Sequence, residues 1–176
     1  MPHRIYTNPG VNLITGLLYK DDNILNKARN GLGRLFGRID FESEPLDFTH
    51  TGYYEEEFGP NLKRKFLGFE KTVGLKGIYK VKVRTNALER ALSEDGKRAI
   101  NIDPGYLDLS KLVLFSTKDY SHRVYMDKGI FAEVTLFYMD KKFNPWPWTY
   151  PDYRSAGYLK IFDTIREIYK KKGSRC

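Results

Sequence analysis

The chain has 176 residues, 41% of them hydrophobic and 30% charged, with a formal net charge of +8. That length and composition fit one domain spanning residues 1–176 that buries its own core, and exclude a disordered or repeat protein. Cys176 is the only cysteine, which excludes a disulfide framework and a cysteine-based zinc site.

Residues 1–10 lack the apolar core of a signal peptide. No apolar run approaches the roughly 20 residues that cross a bilayer. The expectation is therefore a cytoplasmic protein with no membrane partner. The positive charge favours anionic partners, a nucleotide or RNA among them. Glutamine is absent while Lys and Glu abound, a bias shared by proteins of thermophiles.

Residues 11–19 (VNLITGLLY) read as a buried strand. Asp21 and Asp22 are N-cap candidates for a first helix, in which Ile24, Leu25, Ala28, Leu32, Leu35 and Phe36 recur at helical spacing and which Gly37 closes. Residues 39–48 read as an edge strand interrupted by Pro45. Residues 49–60 form a loop, with Glu55, Glu56 and Glu57 set against the basic run Lys63, Arg64 and Lys65. Residues 62–70 give a third strand. A second helix is expected over 74–92, with Leu75, Ile78, Val81, Leu88, Ala91 and Leu92 inward, although Tyr79 to Val83 alternate as a strand would. A fourth strand follows at 98–103. The order βαββαβ matches a ferredoxin-like unit.

After Pro104-Gly105, Asp108 either caps a short helix carrying Leu109, Leu112 and Val113 or precedes a strand. Residues 122–126 and 130–138 read as a hairpin turning at Asp127-Lys128-Gly129, with Val124 opposite Ala132 and Arg123 opposite Glu133. In that register His122 and Glu133 point to opposite faces. Residues 143–154 (FNPWPWTYPDYR) hold three prolines, which exclude helix and leave an aromatic clasp or a stacking surface. Ser155 caps a last helix over 155–172, with Tyr158, Ile161, Phe162, Ile165 and Tyr169 inward and three lysines at its C-terminus. The fold class expected is α+β: one mixed or antiparallel sheet with about three helices.

Candidate chemistry concentrates between Asn101 and Glu133. Asn101 and Asp103 alternate with Ile100 and Ile102, so one strand face presents an amide and a carboxylate; Asp103 serves either a site or the following turn. Lys118, Asp119, His122 and Arg123 fall within six residues. There, Lys118 and Arg123 suit phosphate and His122 suits proton exchange, against an Arg123–Glu133 ion pair with His122 hydrogen-bonded. A metal site of Asp103, His122 and Glu133 lacks any supporting spacing. Trp146, Trp148, Tyr150 and Tyr153 either stack on a ligand or bury their rings, and Asp152 and Arg154 stand beside them. Lys65-Phe66-Leu67-Gly68-Phe69 approaches an RNA-recognition strand motif without its early glycine.

The strings NIDPGYLDLSKLVLFSTKDYSHRVY, KGIFAEVTLFY and PWPWTYPDYRS, with LITGLLY, TGYYEEEFGPNLKRKF and KVKVRTNALE earlier, resemble an uncharacterised prokaryotic family, domain of unknown function 4416. The resemblance covers most of the chain. It implies no established activity; some members carry the label "GTP-binding protein". The residues supply no P-loop: neither GLGRLFG nor GLKGIYK fits G-x-x-x-x-G-K-[ST]. Thr117-Lys118-Asp119 falls one position short of a guanine-reading [NT]-K-x-D.

The leading expectation is a phosphate-bearing ligand, a nucleotide such as GTP, with Mg²⁺ as its companion ion. Lys111, Lys118 and Arg123 would hold phosphate; Tyr106, Trp148 or Tyr150 would stack on the base. Asn101, Asp119, Glu133 and Asp152 complete the pocket, and His122 with Asp103 is the acid–base pair if there is turnover. The alternatives are an RNA-binding module using Lys63, Arg64, Lys65, Lys80, Lys82 and Lys170 to Lys172, or a scaffold. Sequence leaves enzymatic status and oligomeric state open.

Overall fold

The structure is a computed structural model describing residues 10–49 and 58–173. The elements run β1 (Val11–Tyr19), α1 (Asp22–Phe36), β2 (Ile39–Glu42), β3 (Leu46–Asp47), β4 (Lys63–Val73), α2 (Lys80–Ala91), β5 (Ile100–Leu107), β6 (Lys111–Ser116), β7 (Val124–Asp127), β8 (Ile130–Met139), β9 (Lys142–Pro145), a 3₁₀ turn (Asp152–Arg154) and α3 (Ala156–Gly173). All pairings are antiparallel in one nine-stranded sheet ordered β2-β4-β1-β5-β6-β8-β7, with β3 on β4 and β9 on β8. The first four positions of that order are those of a ferredoxin-like βαββαβ unit, and the strands after β5 widen the sheet beyond it.

β1 lies at the centre and is buried along its whole length, which explains why VNLITGLLY reads as a continuous apolar run. Its alternate residues serve two cores. Val11, Leu13, Leu17 and Tyr19 join Leu67, Phe69, Ile100, Ile102 and Tyr106 beneath α1 and α2. Ile14 joins Phe66, Leu107, Leu112, Leu114, Leu136 and Phe143 beneath Tyr153 and the α3 residues Tyr158, Phe162 and Ile165. The molecule is thus three layers deep, with two helices on one face of the sheet and α3 on the other.

The helix ends follow their sequence signals. Asp21 caps α1, its carboxylate accepting from the amides of Asn23 and Ile24, both at 3.0 Å. Gly37 ends it at φ 92°. Ser155 Oγ accepts from the Tyr158 amide at 3.4 Å and opens α3. Helix α2 begins at Lys80, six residues later than periodicity suggests, because Gly77 takes φ 70° and holds the preceding residues in turns. Leu75 is accordingly exposed, and the inward stripe of α2 is Val81, Lys82, Thr85 and Glu89.

Two strands also depart from expectation. β5 continues through Pro104-Gly105 to Leu107, so Asp103 sits inside a strand and caps no turn. Residues 111–116 form a strand, not a short helix, and Asp108 closes the preceding turn by accepting from the amides of Ser110 and Lys111. In the hairpin, Val124 does face Ala132, while Lys128 and Gly129 at φ 52° and 73° make a two-residue turn and a bulge before Asp127 absorbs the extra residue. The expected contact of Glu55–Glu57 with the basic run lies outside the described residues. Among the described residues no helix is long and apolar enough to cross a membrane.

Candidate functional site

The sheet parts between β5 and β6. Their pairing covers only Gly105 with Leu114, Tyr106 with Val113 and Leu107 with Leu112. Pro104 brings no amide to continue it. Beyond that point the backbone of Ile102 has no strand neighbour on the β6 side, and a buried peptide group must be satisfied somewhere. Side chains of α2 satisfy it. Lys82 Nζ donates to the Ile102 carbonyl at 3.0 Å, and Glu89 accepts from the Ile102 amide.

The opening so held is a cleft of about 740 Å³, lined by α2, β4, β5, the β6–β7 loop, β8 and the segment around the 3₁₀ turn. Six cations face it: Arg64, Lys82, Arg90, Arg98, Lys118 and Arg123. Four acids, Glu89, Asp103, Glu133 and Asp152, face it as well. Such a density of charge between two apolar layers is costly unless it is paired or used.

At the inner end Arg64, 2% exposed, donates from Nη1 to Asp103 Oδ2 at 2.7 Å and lies 3.5 Å from Asp152 Oδ2. Its guanidinium stands over the Phe48 ring at 5.3 Å. Burial alone would push the Asp103 carboxyl up. The Arg64 guanidinium and the Lys82 ammonium outweigh it and hold Asp103 below the usual carboxylate range. Burial raises the Tyr153 phenol well above its ordinary value despite Arg64 nearby, and raises that of Tyr158 to about 12, so both stay protonated. Burial likewise raises Glu89, and the Lys82 charge and the Ile102 amide offset it only in part.

A second constellation forms the wall towards β8. Glu133, 3% exposed, accepts from Arg123 Nε at 2.7 Å and Thr135 Oγ1 at 3.2 Å, with His122 Nε2 at 3.1 Å. Arg123 reaches on to Ser116 Oγ at 2.8 Å, the Lys118 carbonyl at 3.1 Å and Tyr150 OH at 3.2 Å. His122 and Glu133 therefore meet, contrary to the opposite faces expected. His122 and Arg123 precede β7 in a turn, so the pleat does not fix their directions. His122 is paired with Glu133 while Asp103 is paired with Arg64, which separates the acid–base pair that sequence suggested.

Of the residues expected at a site, Asn101, Asp103, Lys118, Arg123, Glu133, Tyr150 and Asp152 line this one cleft. Others go elsewhere. Tyr106 is buried beneath α1 and α2, against Phe115. Lys111 stands at the start of β6 and pairs with Asp108 at 3.1 Å. Asp119 is exposed outside the lining. Trp148 stacks between His122 and Trp146 and donates to the Val134 carbonyl at 3.1 Å. Arg154 pins the same segment through the carbonyls of Trp146, Pro147 and Thr149. The aromatic-proline segment is thus a clasp across β8.

The sequence pointed to Arg64 and Lys82 only as part of a basic RNA-binding surface, not of this cleft, and gave Glu89 no role. A signal existed for each. Arg64 and Phe66 share one face of β4, Leu62 precedes them in the same alternation, and all three are buried. Lys82, Thr85 and Glu89 fall three and four residues apart, a polar stripe on the inward face of α2. The RNA-motif residues Phe66 and Phe69 are both core. The basic surface is dispersed too: Lys65 pairs with Glu42 at 2.8 Å, and Lys172 pairs with Asp40 at 2.8 Å and the Phe69 carbonyl at 2.7 Å. Among the described residues no group of three or more His, Cys, Asp or Glu is placed to hold a metal.

Fold and site together define an α+β protein with a charged cleft cut into a widened ferredoxin-like sheet. The family described as a domain of unknown function (DUF4416) matches residues 9–169, and the chain belongs to it. No curated protein and no solved structure matches the chain.

Proposed function

We propose that the β5–β6 cleft binds a phosphate-bearing ligand of the nucleotide class, without a P-loop. The observation that carries this reading is the opening itself: a polar gap in an otherwise continuous sheet, with cations in excess of acids and side chains built to keep it open. Its volume lies within the range of small-ligand sites. Arg90 and Lys118 are exposed on the lining and Arg98 is half-buried behind them, a setting in which anionic phosphate keeps part of its hydration. Tyr120 and Tyr150, both about 45% exposed, offer rings for a base. Arg123 acts here as a fixed strut, since Glu133, Ser116 and Tyr150 hold its guanidinium.

Thermal unfolding against nucleoside mono-, di- and triphosphates, with and without Mg²⁺, tests the reading. A ligand at about 100 times its dissociation constant adds about 2.7 kcal/mol, a rise in Tm of about 5–10 °C for a chain of this size. Arg98→Ala and Lys118→Ala should each reduce that rise. The same Tm with every nucleotide as without would remove the proposal.

A further inference from the structure

The two ends of the cleft differ in charge. At one end Arg90 and Lys118 are exposed, and Arg98 is half-buried, donating to Asn101 Oδ1 at 3.0 Å and lying 3.7 Å from Glu89. The buried end sets Asp103 and Asp152 on either side of Arg64, and a phosphate pushed in there would meet two carboxylates. Yet this end is unfinished. Tyr153 is 3% exposed, and among the described residues its hydroxyl has no hydrogen-bond partner, nor has Arg64 Nε. Buried polar atoms of this kind are rare and call for a partner.

The corner is floored by Gly16, which pairs with Asp103 across β1 and β5. A Cβ at position 16 would come 3.1 Å from Phe66 Cε1, 3.2 Å from Arg64 Nη1 and 3.3 Å from Tyr153 OH, so that side is closed and a partner reaches Tyr153 from the cleft it lines. What fits there must accept a hydrogen bond from a phenol that stays protonated and donate one to a carboxylate that stays ionised. A phosphate oxygen does only the first. An alcohol does both.

We infer that the buried end of the cleft is a sugar-hydroxyl pocket, in which Tyr153 and Asp103 take the ribose diol of a nucleotide whose phosphates remain at the Arg98 end. This rests on the reading of the cleft as a nucleotide site, and adds which way round the ligand lies. The sugar sits deepest, with base and phosphate nearer the opening.

Calorimetric titration of the intact protein with a ribonucleoside triphosphate, its 2′-deoxy and 3′-deoxy analogues and inorganic tripolyphosphate decides it. The ribonucleotide should bind at least 10-fold tighter than at least one deoxy analogue and than tripolyphosphate. Tyr153→Phe should erase that preference while tripolyphosphate binding is unchanged. Equal affinity for the ribose and both deoxy forms, or tripolyphosphate binding as tightly as the nucleotide, overturns the sugar pocket and leaves the nucleotide site standing. Failure of every nucleotide to bind removes both. The ligand series is measured on the native protein, so a substitution that misfolds does not stop it from deciding.

Discussion

Arg64 and Asp103 meet at 2.7 Å across strand β1, on strands that flank it and never touch each other. Gly16 lies beneath the pair, and a Cβ there would come 3.2 Å from Arg64 Nη1 and crowd the guanidinium where it crosses. Removing one partner of a buried pair strands the other. Asp152 at 3.5 Å compensates in part, so Asp103→Ala is expected to cost about 3 kcal/mol, at the low end for a broken buried pair. For a chain of this length that is a fall of about 6–12 °C in Tm by circular dichroism. A change under about 2 °C, within what a neutral surface substitution gives, would show that the pair contributes nothing to holding the strands.

Asp103 and Glu89 face the same cleft with opposite pH signatures. Asp103 is held below its ordinary value near 3.8, so its contribution is full above that pH and is lost as pH falls through the folded-state pKa. Glu89 is held above its ordinary value of 4.5. The unfolded chain then ionises first, and stability is lost as pH rises from 4.5 through the folded-state pKa. Gln keeps an oxygen to accept from Ile102 and cannot ionise. The difference in unfolding free energy between Glu89→Gln and the native protein should therefore grow in the variant's favour over that interval and stay level above it. A difference independent of pH would mean that Glu89 titrates as a solvated carboxyl.

The layers of this protein are legible in its sequence because they depend on period. Ile24, Leu25, Ala28 and Leu32 recur as a helix face, and Ile100 and Ile102 alternate with Asn101 and Asp103. The site is legible only by half. The charges between residues 101 and 152 stand out against apolar neighbours, whereas Arg64, Lys82 and Glu89 look like ordinary surface charges in strings full of them. Their burial follows from where β6 leaves β5, a tertiary event with one local cue, Pro104. His122 misled for a similar reason. Its direction is set by a turn and by Glu133 on β8, not by the strand pleat.

Arg123 is held at four points, by Glu133, Ser116, the Lys118 carbonyl and Tyr150. It also lies 4.5 Å above the Tyr120 ring. A lysine keeps the charge against Glu133 but has no planar fork to reach the other partners. Arg123→Lys should lower stability by about 2 kcal/mol, the worth of one or two charge-assisted hydrogen bonds. His122→Ala, which removes one of several contacts to Glu133, should cost about 1 kcal/mol or less. Denaturant unfolding of the two variants checks the order, and a greater loss for His122→Ala would mean that the histidine, not the arginine, anchors Glu133.

Gly105 marks the point where β5 and β6 close on each other. A Cβ there would fall 2.1 Å from the Val113 carbonyl oxygen and 2.9 Å from Leu114 Cδ2. The first of these is backbone of the partner strand, which no rotamer change relieves. Gly105→Ala must therefore pull β6 away along the short stretch of three paired residues that joins the two halves of the sheet. The expected cost is above about 4 kcal/mol, in the range that marks a forced backbone shift. Amide hydrogen exchange should show protection lost first along β6 and β8, while β1 and β4 keep theirs. Uniform loss across the sheet would mean that the ferredoxin-like half does not hold without the strands beyond β5, and near-native stability would contradict the close approach itself.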